Sequence, residues 1–403
     1  MKKKEKTVKT KKKLKFDFSK SLFFSLISGG YARVKQCNHR ITLIVVVLTI
    51  FGVIMVLSAG YYQTVNMADP DPFYYLKRQG IFAISGFALM MIAAAVDYHV
   101  YGKFAYALAA LSIISLIALF AFGTETNGAV RWFNFFGFAI TPSEFSKIFM
   151  IIFTSSYLAY DPERIHDKKG LGVLFGVMFI HFALIVKQPN LSTAIVVCAI
   201  MLGIMFAADL SIKIIIVMIL AGAGGIFFIL NFMKDTHWYD RLTNYIDPFA
   251  DAQDSGYQVS QGLIALGNGG LKGLGLGNSI TKNLYLPEPQ NDFILAVIGE
   301  ELGFVGFIAL ILVYILLLFL LIMTAAKAKD RMGFFLATGV AVMLGLQVGI
   351  NIAVVTASMP ATGITLPFIS YGGTSLWSFM IAMGIVLNVS KGQDFRIRKA
   401  KKK

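Results

Sequence analysis

The stretch from Gly267 to Gly306, GNGGLKGLGLGNSITKNLYLPEPQNDFILAVIGEELGFVG, crowds glycines, prolines, Lys272, Lys282 and four carboxylates (Glu288, Asp292, Glu300, Glu301) into an otherwise apolar chain. Asp292 opens the apolar run FILAVIG, too short to cross a bilayer, which reads as an interfacial or re-entrant helix. A carboxylate at such a mouth can serve as a general acid or base. Asn291 and Asp292 are also favoured helix N-caps, and the two roles are compatible. Lys272 and Lys282 lie in or beside GGLKGLGLGNS, whose glycines either turn N–H groups towards an anion such as phosphate or form a flexible linker. Neither a dinucleotide fingerprint nor a Walker A motif fits. Glu300 and Glu301 read as partners of loop cations, as orienters of Asp292, or as solvated carboxylates.

A second group lies earlier in the chain. Thr141-Pro142-Ser143-Glu144 reads as a capping box, with Thr141 as cap, Pro142 at the first helical position and Glu144 bonding back. Lys147 falls about one turn into an apolar helix, where a lone ammonium is costly, so Glu144 three residues before it is the expected partner. Arg131 and Trp132 read as a headgroup-binding pair or as an interfacial anchor. His181, inside an apolar run, reads as a hydrogen-bonded core histidine rather than a proton relay. The five histidines show no zinc spacing, and no structural metal is read.

These residues must be positioned by membrane helices. The chain has 403 residues, of which 57% are apolar and 15% charged, with a mean hydropathy of +0.69. That is too hydrophobic for a soluble domain of this size. Runs of about 20 apolar residues recur, long enough to cross roughly 30 Å of hydrocarbon as helices. No alternating barrel pattern appears, so the fold class is an all-α integral membrane protein. Ten spans are expected, at about 41–60, 78–97, 104–122, 143–160, 171–186, 193–208, 212–232, 302–325, 333–355 and 374–390.

The net charge of +15 sits in tails and short loops without interleaved aromatics, which excludes nucleic-acid binding and points to topology. An even number of spans puts the basic leader 1–40 and basic tail 391–403 on one side, the cytoplasm by the positive-inside rule, around a membrane domain at 41–390. The opposite side then holds 61–77, 123–142, 187–192, a large loop of about 233–301 between spans seven and eight, and 356–375. Lys-rich residues at the start read as solvated, and SLFFSLISGGYARV as a surface segment. Cys37 and Cys198 are too differently placed to form a disulfide.

Tyr285-Leu286-Pro287-Glu288, Asp292-Phe293, Ile298 to Gly303 (IGEELG) and Thr362 to Gly373 (TGITLPFISYGG) together resemble the SEDS family. Further matches are Asn127-Gly128-Ala129 with Arg131-Trp132, Pro142-Ser143-Glu144 with Lys147, and Tyr257-Gln258 with Gln261. GLGLGNS, YLPEPQNDF and TGITLPFISYGG look more like the FtsW/SpoVE branch than RodA. The chain departs from the pattern in Gln188 to Thr193 (QPNLST), with Asn and Ser where Asp and Gly are usual, and at Thr141, where glutamine is frequent.

The resemblance implies a peptidoglycan glycosyltransferase that polymerises lipid II on the outer face of the bacterial cytoplasmic membrane, releasing undecaprenyl pyrophosphate. Asp292 falls on the family's catalytic aspartate and would take the proton of the acceptor sugar's 4-hydroxyl. Arg131, Glu144 and Lys147 match functionally important positions; Glu288 and Glu300 fall in the matched motifs. The leaving pyrophosphate needs cations: Arg131, Lys282, Arg241 or a divalent ion, Mg or Mn, with no nucleotide or organic cofactor expected. Expected partners are a class B penicillin-binding protein and other divisome proteins. Two rival readings are a flippase or transporter with Lys147, Glu144 and His181 along its path, and a non-catalytic division scaffold.

Overall fold

The computed structural model describes residues 37–66, 70–126, 129–135, 137–232, 249 and 256–391. The basic leader up to residue 36, the tail from residue 392, Asn127-Gly128, Arg241 and nearly all of 233–255 lie outside the described residues. The helices are α1 (His39–Val65), α2 (Tyr74–Ala95), α3 (Tyr98–Lys103), α4 (Ala105–Phe122), α5 (Pro142–Tyr160), α6 (Lys168–Lys187), α7 (Leu191–Ala207), α8 (Ile212–Phe232), α9 (Tyr257–Gly269), α10 (Ile294–Ala326), α11 (Arg331–Val355) and α12 (Gly373–Ser390). Every expected span coincides with one of them.

Among the described residues, α1, α2, α4, α6, α10, α11 and α12 are long and apolar enough to cross a membrane. α7 and the Ile212–Gly225 part of α8 are apolar but shorter. Short polar side chains start several helices by accepting an orphan backbone N–H: Asn38 from Arg40, Asp167 from Gly170, Asn190 from Thr193 and Asp330 from Gly333. Asn190 therefore does at α7 what an aspartate would do, without the charge.

α12 is innermost, with 78% of its apolar window buried against 22% for α10; it packs along α2 and also touches α5, α10 and α11. Two ends of the bundle can be told apart by their hydrogen bonds. At one, the Asn38 N–H donates to Ser390 Oγ, Tyr98 N–H to Asn388 Oδ1 and the Tyr98 hydroxyl to Asp330. At the other, Tyr75, Gln290 and Tyr371 meet, as do Thr141 and Thr374. The segments assigned by charge to one side are thus brought together at one end.

The helical fold carries one small sheet besides. Residues 123–142 hold a three-stranded antiparallel sheet, β1 (Thr124–Thr126), β2 (Ala129–Phe135) and β3 (Phe138–Ile140), in the order β1-β2-β3. β2 and β3 pair Phe133 with Ile140 and Phe135 with Phe138. Gly137 has φ +78°, as the left-handed residue of a tight hairpin requires. The signal was present: aromatic and β-branched residues on either side of a glycine.

FILAVIG forms a short helical stretch set off from the long apolar helix by a kink. Ile294 to Glu301 are buried and continue into the α10 span through a break at Gly303 (φ +67°, ψ −172°). A side chain there is strained, and its Cβ would lie 2.3 Å from Gly273 N. Backbone groups released by the break pair with the glycine-rich loop. Phe304 N–H donates to Gly270 O at 2.8 Å, Leu274 N–H to Glu300 O at 3.0 Å and Gly275 N–H to Glu301 O at 2.9 Å. The loop therefore closes a helix break, and these N–H groups are committed to carbonyls rather than to an anion.

Candidate active site

At the end where Tyr75, Gln290 and Tyr371 meet lies a cavity of about 510 Å³. Its wall brings together Asp292, Glu288 and Asn291 from the turn before α10, Glu144 and Thr141 from the start of α5, and Arg131 and Trp132 from β2. Asn190 and Thr193 at the α7 start, Gln258 of α9, and Thr365 and Tyr371 to Ser375 around the α12 start complete much of it. Arg78, near the start of α2, also lines it; the sequence reading did not single it out, because a cation in the first turns of a span looks like an interfacial anchor.

The N-cap of α10 is Phe293, without a side-chain cap bond. Asp292 therefore precedes the cap, and its half-buried carboxylate lies in the wall of the cavity. The turn carrying it is held from three directions. Asn351 Nδ2 donates to Asp292 O at 2.8 Å and to Ile364 O at 2.9 Å. Tyr371 N–H donates to Gln290 O at 2.8 Å. Glu288, at φ +49°, accepts from Asn291 Nδ2 at 2.7 Å and Gln290 Nε2 at 3.2 Å.

Thr141 caps α5 in position but not in bonding: it makes no side-chain cap bond. Thr374 takes over the junction, accepting from Thr141 N–H at 3.3 Å and donating to Ala139 O at 3.1 Å. The expected capping box is not formed, because Glu144 turns to Lys147. The Lys147 ammonium donates to Glu144 Oε2 at 2.8 Å and to Gln347 Oε1 at 3.0 Å, with its side chain almost wholly buried. α12 likewise begins without a side-chain cap. Two helices thus begin beside the cavity without side-chain caps, with the positive ends of their dipoles towards it.

Arg131 reaches across to the α6–α7 turn, its Nε donating to Gln188 O at 3.1 Å and its guanidinium also to Pro189 O. Arg78 lies 4.6 Å over the Tyr74 ring and 5.7 Å from the Phe138 centroid. Burial pushes the Tyr371 phenol above its ordinary pKa, and the hydrogen bond and charge of Arg78 pull it part of the way back.

Lys282 and Glu300 do not line this cavity. Lys282, 3% exposed, donates to Glu301 Oε1 at 2.7 Å, Ser58 Oγ at 3.0 Å and Gly277 O at 2.6 Å. Glu300, fully buried, accepts from Thr281 Oγ1 at 2.5 Å, Asn268 Nδ2 at 3.1 Å and Ser279 Oγ. The solvated reading of the two glutamates is therefore wrong, and the pairing of Glu301 with a loop cation is observed. Lys147 and His181 likewise do not line this cavity. His181 is a buried core histidine, bonded to Val177 O at 2.9 Å and Ser112 Oγ at 3.0 Å.

The profile of the FtsW/RodA/SpoVE family, described as "Cell cycle protein", matches residues 38–394. The "Probable peptidoglycan glycosyltransferase FtsW" of Geobacter sp. (strain M18) is 38% identical over 365 residues, covering 89% of this chain and 98% of its own. "Stage V sporulation protein E" of Bacillus subtilis (strain 168) is 38% identical over 362 residues, with the same coverage of 89% and 98%. The fold is similar to that in the solved structure "Structural coordination of polymerization and crosslinking by a peptidoglycan synthase complex", with TM-score 0.72, 25% identity and coverage of 89% and 98%. It is also similar to the crystal structure of the rod shape determining protein RodA of Thermus thermophilus, with TM-score 0.66, 25% identity and coverage of 89% and 97%. With the profile matched across the helical bundle and relatives matched over nearly their full length, this chain belongs to the FtsW/RodA/SpoVE family of multi-pass membrane proteins.

Proposed function

We propose that this chain is a peptidoglycan glycosyltransferase that polymerises lipid II at the outer face of the bacterial cytoplasmic membrane, in cell division. The observation that carries the reading is a single cavity joining the Asp292 carboxylate to the guanidinium groups of Arg78 and Arg131. A base and fixed positive charge are what this group transfer requires. Asp292 takes the proton of the acceptor sugar's 4-hydroxyl as that oxygen attacks the donor's anomeric carbon. The bond to undecaprenyl pyrophosphate breaks, and the negative charge that develops there meets Arg78, Arg131 and the N-termini of α5 and α12. Arg241 is a further proposed contact from the large loop.

Glu144 faces the substrate from the α5 end, with Lys147 fixing its orientation from behind. Glu288 orders the turn that carries Asp292, while Lys282 and Glu300 hold the buried support of the same turn. A divalent cation, Mg or Mn, would neutralise charge on the pyrophosphate. Mg²⁺ commonly takes one or two carboxylates and completes its shell with substrate oxygens and water. Asp292 and Glu288 are the cavity carboxylates suited to that; among the described residues no group of three His, Cys, Asp or Glu forms a site of its own.

In the proposed topology the chain crosses ten times with both termini in the cytoplasm, so the cavity meets the outer leaflet in which the substrate's lipid remains. A class B penicillin-binding protein is the proposed partner, supported by the likeness to a synthase complex that couples polymerisation with crosslinking; other divisome proteins complete the assembly. The test is polymerisation of purified lipid II by the full chain and by Asp292→Asn. Loss of glycan product in a folded variant is the expected result, and wild-type activity would remove Asp292 as the base.

A further inference from the structure

Asn351 lies on α11, 1% exposed, one helical turn beyond Gln347. Its carboxamide Nδ2 has two hydrogens, and the geometry uses both: one towards Asp292 O at 2.8 Å, the other towards Ile364 O at 2.9 Å. These carbonyls belong to two segments far apart in sequence, the turn before α10 and the loop before α12, which the shared nitrogen holds side by side. Gln347, on the same face of α11, accepts from Lys147, the partner of Glu144. One face of one helix thus holds the backbone of Asp292 and, through Lys147, the side chain of Glu144.

We infer that Asn351 is a positioning residue, which fixes the Asp292 carboxylate relative to the cavity by anchoring its carbonyl to α11 and to Ile364. Only an amide of this length meets both carbonyls from a single nitrogen. Aspartate at this site has the same shape but presents oxygen to two carbonyl acceptors, so it repels where asparagine binds. The inference rests on Asp292 being the base.

The test uses the purified full chain with lipid II, comparing wild type with Asn351→Asp, Asn351→Leu and Asp292→Asn. Loss of the anchor lowers kcat by roughly 10- to 100-fold while KM for lipid II changes by less than about twofold, since Asn351 has no place in the cavity wall. Rates are normalised to the monodisperse, folded fraction, so a purely structural role would lower yield and leave kcat per folded molecule unchanged. That unchanged kcat, or a loss carried entirely by KM, would overturn the positioning role. If Asp292→Asn is inactive and Asn351→Leu behaves as wild type, only the positioning role fails. If Asp292→Asn retains activity, the reading of Asp292 fails whatever Asn351 does.

Discussion

Lys147 and Glu144 are joined at 2.8 Å, although the carboxylate borders an open cavity and the ammonium lies in the protein interior. The pair therefore carries polarity from the cavity wall into the core, where Gln347 receives it. Glu144→Ala leaves a buried ammonium with one neutral acceptor; stability should fall by about 3 kcal/mol or more, as for buried charges that lose a partner. Thermal unfolding in detergent measures this, and Glu144→Gln, which keeps an acceptor, should lose less. Equal melting temperatures for all three proteins would refute the coupling.

Lys282 and Glu301 form a second buried pair, with side-chain exposures of 3% and 0%. Lys282→Met or Glu301→Leu alone strands one charge, at a cost of about 3–5 kcal/mol. The double variant removes both charges and should recover much of the loss. Unfolding midpoints of the four proteins give the coupling directly, and strict additivity of the two single losses would contradict it.

Gly303→Ala asks a residue with a Cβ to adopt φ +67° beside Gly273. The strain alone is about 1–3 kcal/mol, and the contact with the loop adds to it. The expected result is a lower melting temperature and faster proteolysis within 270–285, because the same contact holds that loop against α10. An unaltered digestion pattern would argue that the loop is held by other means.

Arg78 and Arg131 can be separated by their other partners. Arg131→Gln also loosens the α6–α7 turn, whereas Arg78→Gln alters mainly the aromatic and Tyr371 contacts. A charge-assisted hydrogen bond to the leaving group contributes about 1.5–3 kcal/mol, so Arg78→Gln should lower kcat/KM for lipid II by roughly 10- to 100-fold. Polymerisation kinetics decide it; an effect under twofold would place the developing charge away from Arg78.

At the opposite end, burial raises the Asp330 carboxyl, but hydrogen bonds from Gly333 N–H, Tyr98 and His99, with the charge of His99, outweigh it and hold the pKa below the ordinary 3.8. A depressed carboxylate stabilises the fold above its unfolded pKa and loses that contribution as pH falls through the folded value. Asp330→Asn should therefore lower the melting temperature at pH 7, with the difference from wild type narrowing as the medium is acidified below about pH 4. A constant difference down to pH 3 would refute this.

The helices were legible because lipid-length apolar runs admit few alternatives, and Lys147 announced its partner because a charge inside such a run needs one. Asp292, Glu144 and Arg131 meet in one cavity, whereas the burial of Lys282 and Glu300 was not read. Their neighbours are polar in sequence, and nothing local to Lys282 shows that Ser58, distant in the chain, would bond it and Glu301. Arg78 and Asn351 escaped notice for a related reason. Each resembles an ordinary residue of its span until a distant loop is folded against it.

The segment between Asp292 and Glu300 behaves as a ruler. It sets Asp292 at the cavity and Glu300 and Glu301 in a buried polar compartment, about 1.5 Å apart per residue and rotated by about 100° per step. Its apolar side chains can be exchanged for others of similar volume, but one inserted or deleted residue would swing both glutamates off Asn268, Thr281 and Lys282 together. The length of this segment is consequently constrained more tightly than its composition.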